Sequence, residues 1–218
     1  MITRRHIIQW LEQCQAVLED KKAYLTELDS PIGDADHGIN MARGFNKVVE
    51  KLPSVADTDI GTILKSSGMA LISSVGGASG PLYGTFFMRA AGAAQSKQEL
   101  DAQDLVNVLE AGLEGLVQRG RAAVGDKTMV DAWVPAIDAL KAALENGEDM
   151  VKAVHACVDA AEQGVQDTIP LVAKKGRASY LGERSVGHQD PGATSTYYLL
   201  GALLDVLNRD ESATDSEQ

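Results

Sequence analysis

Three carboxylates fall close together in the stretch Leu28-Asp29-Ser30-Pro31-Ile32-Gly33-Asp34-Ala35-Asp36-His37-Gly38-Ile39-Asn40. Asp29, Asp34 and Asp36 are separated by steps of five and two, which no straight helix gathers on one side. Pro31 biases Ser30 away from helical geometry, and Gly33 and Gly38 loosen the chain further. The stretch therefore reads as a loop, and a folded loop can aim all three acids at one point. Two unit charges about 5 Å apart repel by roughly 3 kcal/mol at an effective dielectric near 20. Three such groups held together call for a cation, and oxygen-only ligands select a hard one. Mg²⁺ binds through a few carboxylates together with substrate phosphates, so one reading is a magnesium–phosphate site. The other is a solvated acidic turn in which Asp36 caps the next helix.

Three further stretches carry residues that suit phosphate. Gly76-Gly77-Ala78-Ser79-Gly80 precedes a helix, where free N–H groups and a hydroxyl can face an anion; an ordinary Gly-rich helix–helix turn is the alternative. The segment Lys174–Pro191 is locally basic in an acidic protein, and Arg177 can grip phosphate bidentately. A loop this long is either functional or a flexible exposed segment. Gly120 and Gly125-Asp126-Lys127-Thr128-Met129 form the remaining loop, with Met129 either lining an apolar slot for a base or belonging to the core. His37 is either a donor to phosphate or merely a helix-start residue. No G-x-x-x-x-G-K-[ST] motif is present, nor a kinase Gly-rich loop paired with H-R-D.

The elements that must position these loops read as helices. Ile7, Leu11, Cys14 and Leu18 share one face, as do Trp133, Ile137, Leu140 and Leu144, and Tyr197, Leu200, Leu204 and Leu207. Eight stretches are expected, at 3–27, 37–52, 58–75, 80–96, 101–119, 127–145, 149–173 and 192–209, with Pro135 and Pro170 interrupting the last part of the series. The expected fold is an all-α, single-domain bundle over residues 1–209, followed by an acidic, disordered tail at 210–218. If consecutive helices run antiparallel, the first, third, fifth and seventh loops share one end. Those are the four unusual loops. One end of the bundle is then a site and the other a scaffold.

The 218 residues carry a net charge of −11. This excludes nucleic-acid or anionic-membrane binding through bulk charge. No apolar run approaches the length of a membrane helix, and the start lacks a signal-peptide core, so a cytoplasmic protein is expected. Cys14 and Cys157 sit in apolar helical patterns and are expected as buried, reduced thiols.

Four motifs carry a family resemblance. They are Ile32-Gly33-Asp34-Ala35-Asp36-His37-Gly38, Ser74-Val75-Gly76-Gly77-Ala78-Ser79-Gly80-Pro81-Leu82-Tyr83-Gly84, Gly125-Asp126-Lys127-Thr128-Met129, and the run from Gly176 to Ala193. With these the chain resembles the ADP-binding L subunits of phosphoenolpyruvate-dependent dihydroxyacetone kinases, and equally the nucleotide-binding domain of the ATP-dependent enzymes. The resemblance implies a barrel of eight antiparallel amphipathic helices holding ADP or ATP and Mg²⁺ at one mouth. It implies Asp29, Asp34 and Asp36 as metal ligands. His37, Gly38, Ile39, Asn40, Ala78, Ser79, Gly120, Met129, Arg177, Asp190, Pro191 and Gly192 are implied as nucleotide contacts.

A triphosphate beside three carboxylates carries about −7, so two Mg²⁺ ions are expected. The resemblance further implies that a phosphotransferase M subunit recharges the bound ADP. The γ-phosphoryl then passes to dihydroxyacetone held on a histidine of a separate K subunit. No general base is expected within this chain. Two other readings remain at this stage: a nucleotide-sensing module that docks on a transcription regulator without catalysis, and a helical scaffold with a structural cation.

Overall fold

The computed structural model describes the backbone of residues 1–215 and the side chains of residues 1–210. Among these, nine α-helices carry the architecture: α1 (Arg4–Asp20), α2 (Lys22–Asp29), α3 (His37–Lys51), α4 (Ile60–Ser74), α5 (Ser79–Ala93), α6 (Ala102–Gly120), α7 (Val130–Glu145), α8 (Met150–Asp167) and α9 (Pro191–Asp215). A two-residue strand β1 (Ile2–Thr3) pairs antiparallel with β2 (Glu99–Leu100). The fold is all-α, as the helical spacing implied, and eight of the helices close into a ring. α1 packs on α3, α3 on α4, α4 on α5, and so on through α9, which returns to α1. The short α2 leans on α3 and α9 at one mouth.

The differences from the expected boundaries have local causes. The stretch 3–27 divides at Lys21, which leaves helical ψ and ends α1 before α2 resumes. The seventh helix stops at Asp167 rather than 173. Pro170 restricts Ile169 to non-helical geometry, and the chain turns with Thr168 Oγ1 bonded to the Val165 carbonyl. The segment Arg177–Ser185 forms short 3₁₀ turns broken at Gly182, where φ is 54°. α9 continues past 209 through Asp215, so the expected tail at 210–218 is helical over its first part; residues 216–218 lie outside the described residues.

Pro135 sits inside α7 without breaking it. Its missing N–H leaves the Asp131 carbonyl without an in-helix donor. Gly164 of α8 approaches that same carbonyl so closely that a Cβ there would lie 2.2 Å from it.

The core fills the ring. Trp10, Phe45, Phe86, Phe87 and Trp133 form its aromatic centre, with Phe86 stacked on Trp133 at 4.3 Å between ring centroids. Few aromatics and many Ala and Gly contacts let neighbouring helices approach closely; a Cβ at Gly112 would lie 2.7 Å from the Phe86 ring. Cys14 and Cys157 are free and buried, and desolvation raises both thiols.

Side-chain caps mark every α-helix that begins at the scaffold pole. Thr3, Asp59, Asp101 and Asp149 cap α1, α4, α6 and α8, each accepting from a first-turn amide. At the opposite pole, α3, α5 and α7 begin without a side-chain bond from their N-cap residue. Those three helix starts adjoin the unusual loops.

Candidate functional site

One cavity of about 410 Å³ opens at the pole where the four unusual loops meet. Its wall takes Asp29 to Asn40 from the α2–α3 loop, Gly76 to Leu82 from α4–α5, Leu116 to Val130 from α6–α7, and Lys175 to Gly192 from α8–α9. The four unusual loops therefore share one end of the bundle, as their alternation along the chain implied.

The acidic corner is built by Asp29. Its carboxylate, at the buried end of α2, accepts from the amides of Asp36 at 3.0 Å and His37 at 3.2 Å. Its carbonyl accepts from Gly33 at 2.6 Å. The turn is so tight that a Cβ on Gly33 would lie 2.0 Å from the Asp29 carboxylate. Ala35 adopts φ 58°, a left-handed conformation that turns the chain between the two outer acids. As a result one carboxylate oxygen from each of Asp29, Asp34 and Asp36 lies within 4.8 Å of the others. Their mutual repulsion, about 3 kcal/mol per pair at a dielectric near 20, is what a divalent cation would relieve. The donor set is all oxygen and fits Mg²⁺. Arg177 reaches in from the long loop and pairs with Asp34 at 2.8 Å, so a movable cation already stands at this corner.

The second wall is polar and electropositive. Ala78 and Ser79 begin α5, whose start carries no side-chain cap and borders the same space. Its first-turn amides supply partial positive charge to an anion. His37 is buried, with Nδ1 3.2 Å from Ser79 Oγ and Nε2 2.9 Å from Ser195 Oγ. Burial lowers its pKa to about 4 against a smaller opposing pull from Asp29, so the imidazole is neutral near pH 7. Asn40 is held by Arg43, which also bonds the Ser74 carbonyl at 2.8 Å and so ties α3 to the end of α4.

The third wall is apolar. Leu82, Leu116, Ala122, Met129, Val130 and Pro191 line a slot of the right character for a flat base. Met129 is both core and wall: it is 6% exposed and still borders the cavity. Gly120 completes this side. Asp190 caps α9 by accepting from the Ala193 amide at 2.7 Å. Burial raises its pKa to about 7, the Ala193 hydrogen bond opposing this and Asp131 adding to it.

Of the residues singled out in the sequence, Gly38 and Ile39 do not border the cavity. Gly38 lets α3 press against α2, since a Cβ there would lie 2.0 Å from the Lys22 carbonyl. Ile39 is 47% exposed beside the mouth. Two residues that sequence reasoning did not single out organise the site. Asp131 of α7 accepts from the Gly125 amide at 2.5 Å and the Thr128 amide at 2.7 Å, folding the α6–α7 loop. Lys127 is 1% exposed, with a left-handed φ of 62°. Its ammonium donates to the Thr168 carbonyl at 2.5 Å, to Ile169 at 3.4 Å and to the His188 carbonyl. All three donors of that ammonium are used, so Lys127 ties the α6–α7 loop to both ends of the α8–α9 segment. A signal was present, since a lysine in a Gly-Asp-Lys-Thr turn is an unusual loop residue, but nothing local marks it as buried. His188 takes part through its backbone, and Lys174 through its backbone N–H, which donates to the Asp126 carbonyl, and an ion pair with the Asp126 carboxylate at 3.7 Å. Lys175 borders the cavity.

Comparison with known proteins follows the same residues. The DAK2 domain family matches residues 31–205. The chain is 53% identical over 202 residues to the ADP-binding subunit DhaL of the PEP-dependent dihydroxyacetone kinase of Escherichia coli, covering 93% of this chain and 96% of that one. It is 42% identical to the DhaL subunit of the PTS-dependent dihydroxyacetone kinase of Lactococcus lactis, covering 95% and 100%. Among solved structures, the dihydroxyacetone kinase from C. freundii in complex with AMP-PNP and Mg²⁺ superposes with a TM-score of 0.67 at 28% identity. That alignment covers 91% of this chain and 33% of the kinase, so the chain spans about a third of the longer enzyme. With its matched span, its identity to the DhaL subunits and its helical ring in common, the chain belongs to the DAK2 domain family.

Proposed function

We infer that this protein is the ADP-binding subunit of a phosphoenolpyruvate-dependent dihydroxyacetone kinase. It would hold ADP or ATP with Mg²⁺ and pass the terminal phosphoryl to a ketone carried by another subunit. The observation that carries this reading is the convergence of three carboxylates, the uncapped start of α5 and Arg177 on one cavity with an apolar slot beside it. Asp29, Asp34 and Asp36 are the residues to hold two Mg²⁺ ions. When bound, the metal would neutralise phosphoryl oxygens as charge moves in transfer. The chain's own residues do the rest by position. Ser79, His37 and the α5 amides face the phosphates. Arg177, released from Asp34 once a cation takes its place, can turn to a phosphate oxygen. Met129, Gly120, Leu82 and Asp190 to Gly192 enclose the base. We assign no base for a ketone hydroxyl to this chain, so catalysis here is charge neutralisation and orientation.

The partners follow from that division: a K subunit holding dihydroxyacetone and a phosphotransferase M subunit recharging the nucleotide. Exposed apolar side chains support a docking role for the mouth. Ile39, Ile72, Val124 and Tyr180 lie on the four loops or their flanking turns, and Tyr180 is 87% exposed. The proposed site of action is the cytoplasm; among the described residues no helix is long and apolar enough to cross a membrane.

Calorimetry with ADP in the presence of Mg²⁺ tests binding, and phosphoryl transfer to dihydroxyacetone with purified K and phosphorylated M subunits tests the activity. Asp36→Asn is expected to abolish Mg²⁺-dependent binding while leaving the helical signal unchanged. Binding without transfer would reject the kinase assignment and retain the nucleotide site.

A further inference from the structure

A chain of hydrogen-bonding groups runs inward from the cavity at Ser79 and His37. Past the His37–Ser195 contact, Ser195 Oγ lies 2.8 Å from Tyr83 Oη and 3.0 Å from the Gly192 carbonyl. Tyr83 Oη is also 2.8 Å from Thr196 Oγ1 and 3.0 Å from the Gly192 carbonyl, and Thr196 Oγ1 is 3.0 Å from that carbonyl. His37, Tyr83, Ser195 and Thr196 are all buried, so these groups must satisfy one another.

Their hydrogens can be counted. The inner cluster holds four oxygens, those of Tyr83, Ser195, Thr196 and the Gly192 carbonyl, but only three hydroxyl hydrogens. Six close contacts join these oxygens to one another and to His37 Nε2. Three hydrogens fill three of them. A hydrogen on Nε2 fills a fourth, so the interior favours the neutral imidazole with its hydrogen on Nε2. The bare Nδ1 then accepts the Ser79 hydroxyl hydrogen. A phosphate oxygen at Ser79 makes the opposite demand. It draws the hydroxyl hydrogen outward, and a bare Nδ1 would then face an oxygen lone pair.

We propose that His37 is a tautomeric switch between Ser79 and Ser195, holding its hydrogen on Nε2 in the free protein and on Nδ1 when phosphate occupies the cavity. Ser195 is the positioning residue for the resting form. When the ring turns outward past Ser79 into the cavity, solvent takes the hydrogen from Nε2 and returns one to Nδ1, so one N–H bond breaks as the other forms. Ser79 and Ser195 keep their own hydrogens and rotate, so the ring stays neutral and no charge is created. The direction of donation along the whole chain reverses: inward to the Gly192 carbonyl at rest, outward to phosphate when loaded. Because Gly192 lies at the start of α9 beside the apolar slot, phosphate occupancy is felt where the base would sit.

The inference rests on the nucleotide reading, and the test separates the two. Full-length protein labelled with ¹⁵N-histidine is examined by NMR at neutral pH, with His37 signals assigned against His37→Asn and ADP binding in Mg²⁺ measured by calorimetry on the same sample. The expected result is Nε2–H in the free protein and Nδ1–H at saturating ADP and Mg²⁺. Ser79→Ala is expected to keep Nε2–H in both states, and Ser195→Ala to show Nδ1–H without ligand, which a merely structural role would not produce. The same tautomer with and without bound ADP overturns the switch while leaving the nucleotide site standing. Nδ1–H in free wild-type protein overturns the resting assignment whether or not ADP binds. Absence of ADP binding in calorimetry overturns the nucleotide reading and with it the loaded state.

Discussion

Asp190 and His37 make opposite demands on pH, and replacing one should expose the other. His37 is lowered from 6.5 to about 4 by burial. Between those values the unfolded chain binds a proton that the folded protein refuses, so stability falls as pH drops through the window. Each pH unit is worth about 1.4 kcal/mol, which gives about 3 kcal/mol in all. Asp190 is raised from 3.8 to about 7 by burial. Its contribution is full below 3.8 and is lost as pH rises toward 7, about 4 kcal/mol in all. In the metal-free wild type the two slopes cancel from about pH 4 to 6.5. Asp190→Asn keeps an oxygen to accept the Ala193 amide at the start of α9 but cannot ionise. Its stability should therefore climb by about 3 kcal/mol from pH 4 to 6.5 relative to wild type, or roughly 6–12 °C in Tm for a chain of this size. His37→Asn should tilt the other way. The assay is thermal and urea unfolding across pH 4–8 at fixed ionic strength without Mg²⁺, taking each variant minus wild type so that the other carboxylates drop out. Parallel curves for Asp190→Asn and wild type across that range would refute the reasoning.

Other perturbations test the site's construction. Lys127→Met removes the donor to three carbonyls and should cost about 3 kcal/mol, partly offset by no longer burying an ammonium, with hydrogen exchange rising in residues 174–190 before the rest of the barrel; an unchanged exchange pattern would deny it the tie between loops. Gly33→Ala forces the Asp29 carboxylate aside and should weaken ADP binding in Mg²⁺ by tenfold or more while shifting Tm by only a few degrees, as calorimetry and melting on one sample would show. Arg177→Ala should speed ADP release in a dialysis assay without altering Tm, because the side chain is exposed and its pair with Asp34 is solvated.

The ring of helices and the cavity's location were legible because both rest on repeated, one-dimensional signals. Apolar spacing marked the helices, and the alternation of ordinary and unusual loops placed four of them at one pole. The Asp29–Asp36 loop was legible because its chemistry is written in adjacent residues. Lys127 and Asp131 were not, because their importance lies in contacts to Thr168, His188, Gly125 and Thr128 that no local pattern encodes. Tyr83, Ser195 and Thr196 were hidden for a related reason. On a helix they read as ordinary inward or neutral positions, and only the meeting of α3, α5 and α9 turns them into a polar cluster. The break at Lys21 carries no Gly or Pro, so nothing in composition announced it.

Ring closure by α1 and α9 brings the two ends of the described chain together, with His6 3.0 Å from Asp210. β1 pairs with β2 at the scaffold pole, and α9 begins at the mouth and runs away from it. Fluorophores, affinity handles or a second folded unit joined at residue 1 or at the end of α9 would therefore hang behind the barrel. Cutting the plain connector near Gly147 and joining residue 1 to the end of α9 by a linker should give a permuted barrel whose mouth is unaltered, a practical route to immobilising it with the cavity facing solution.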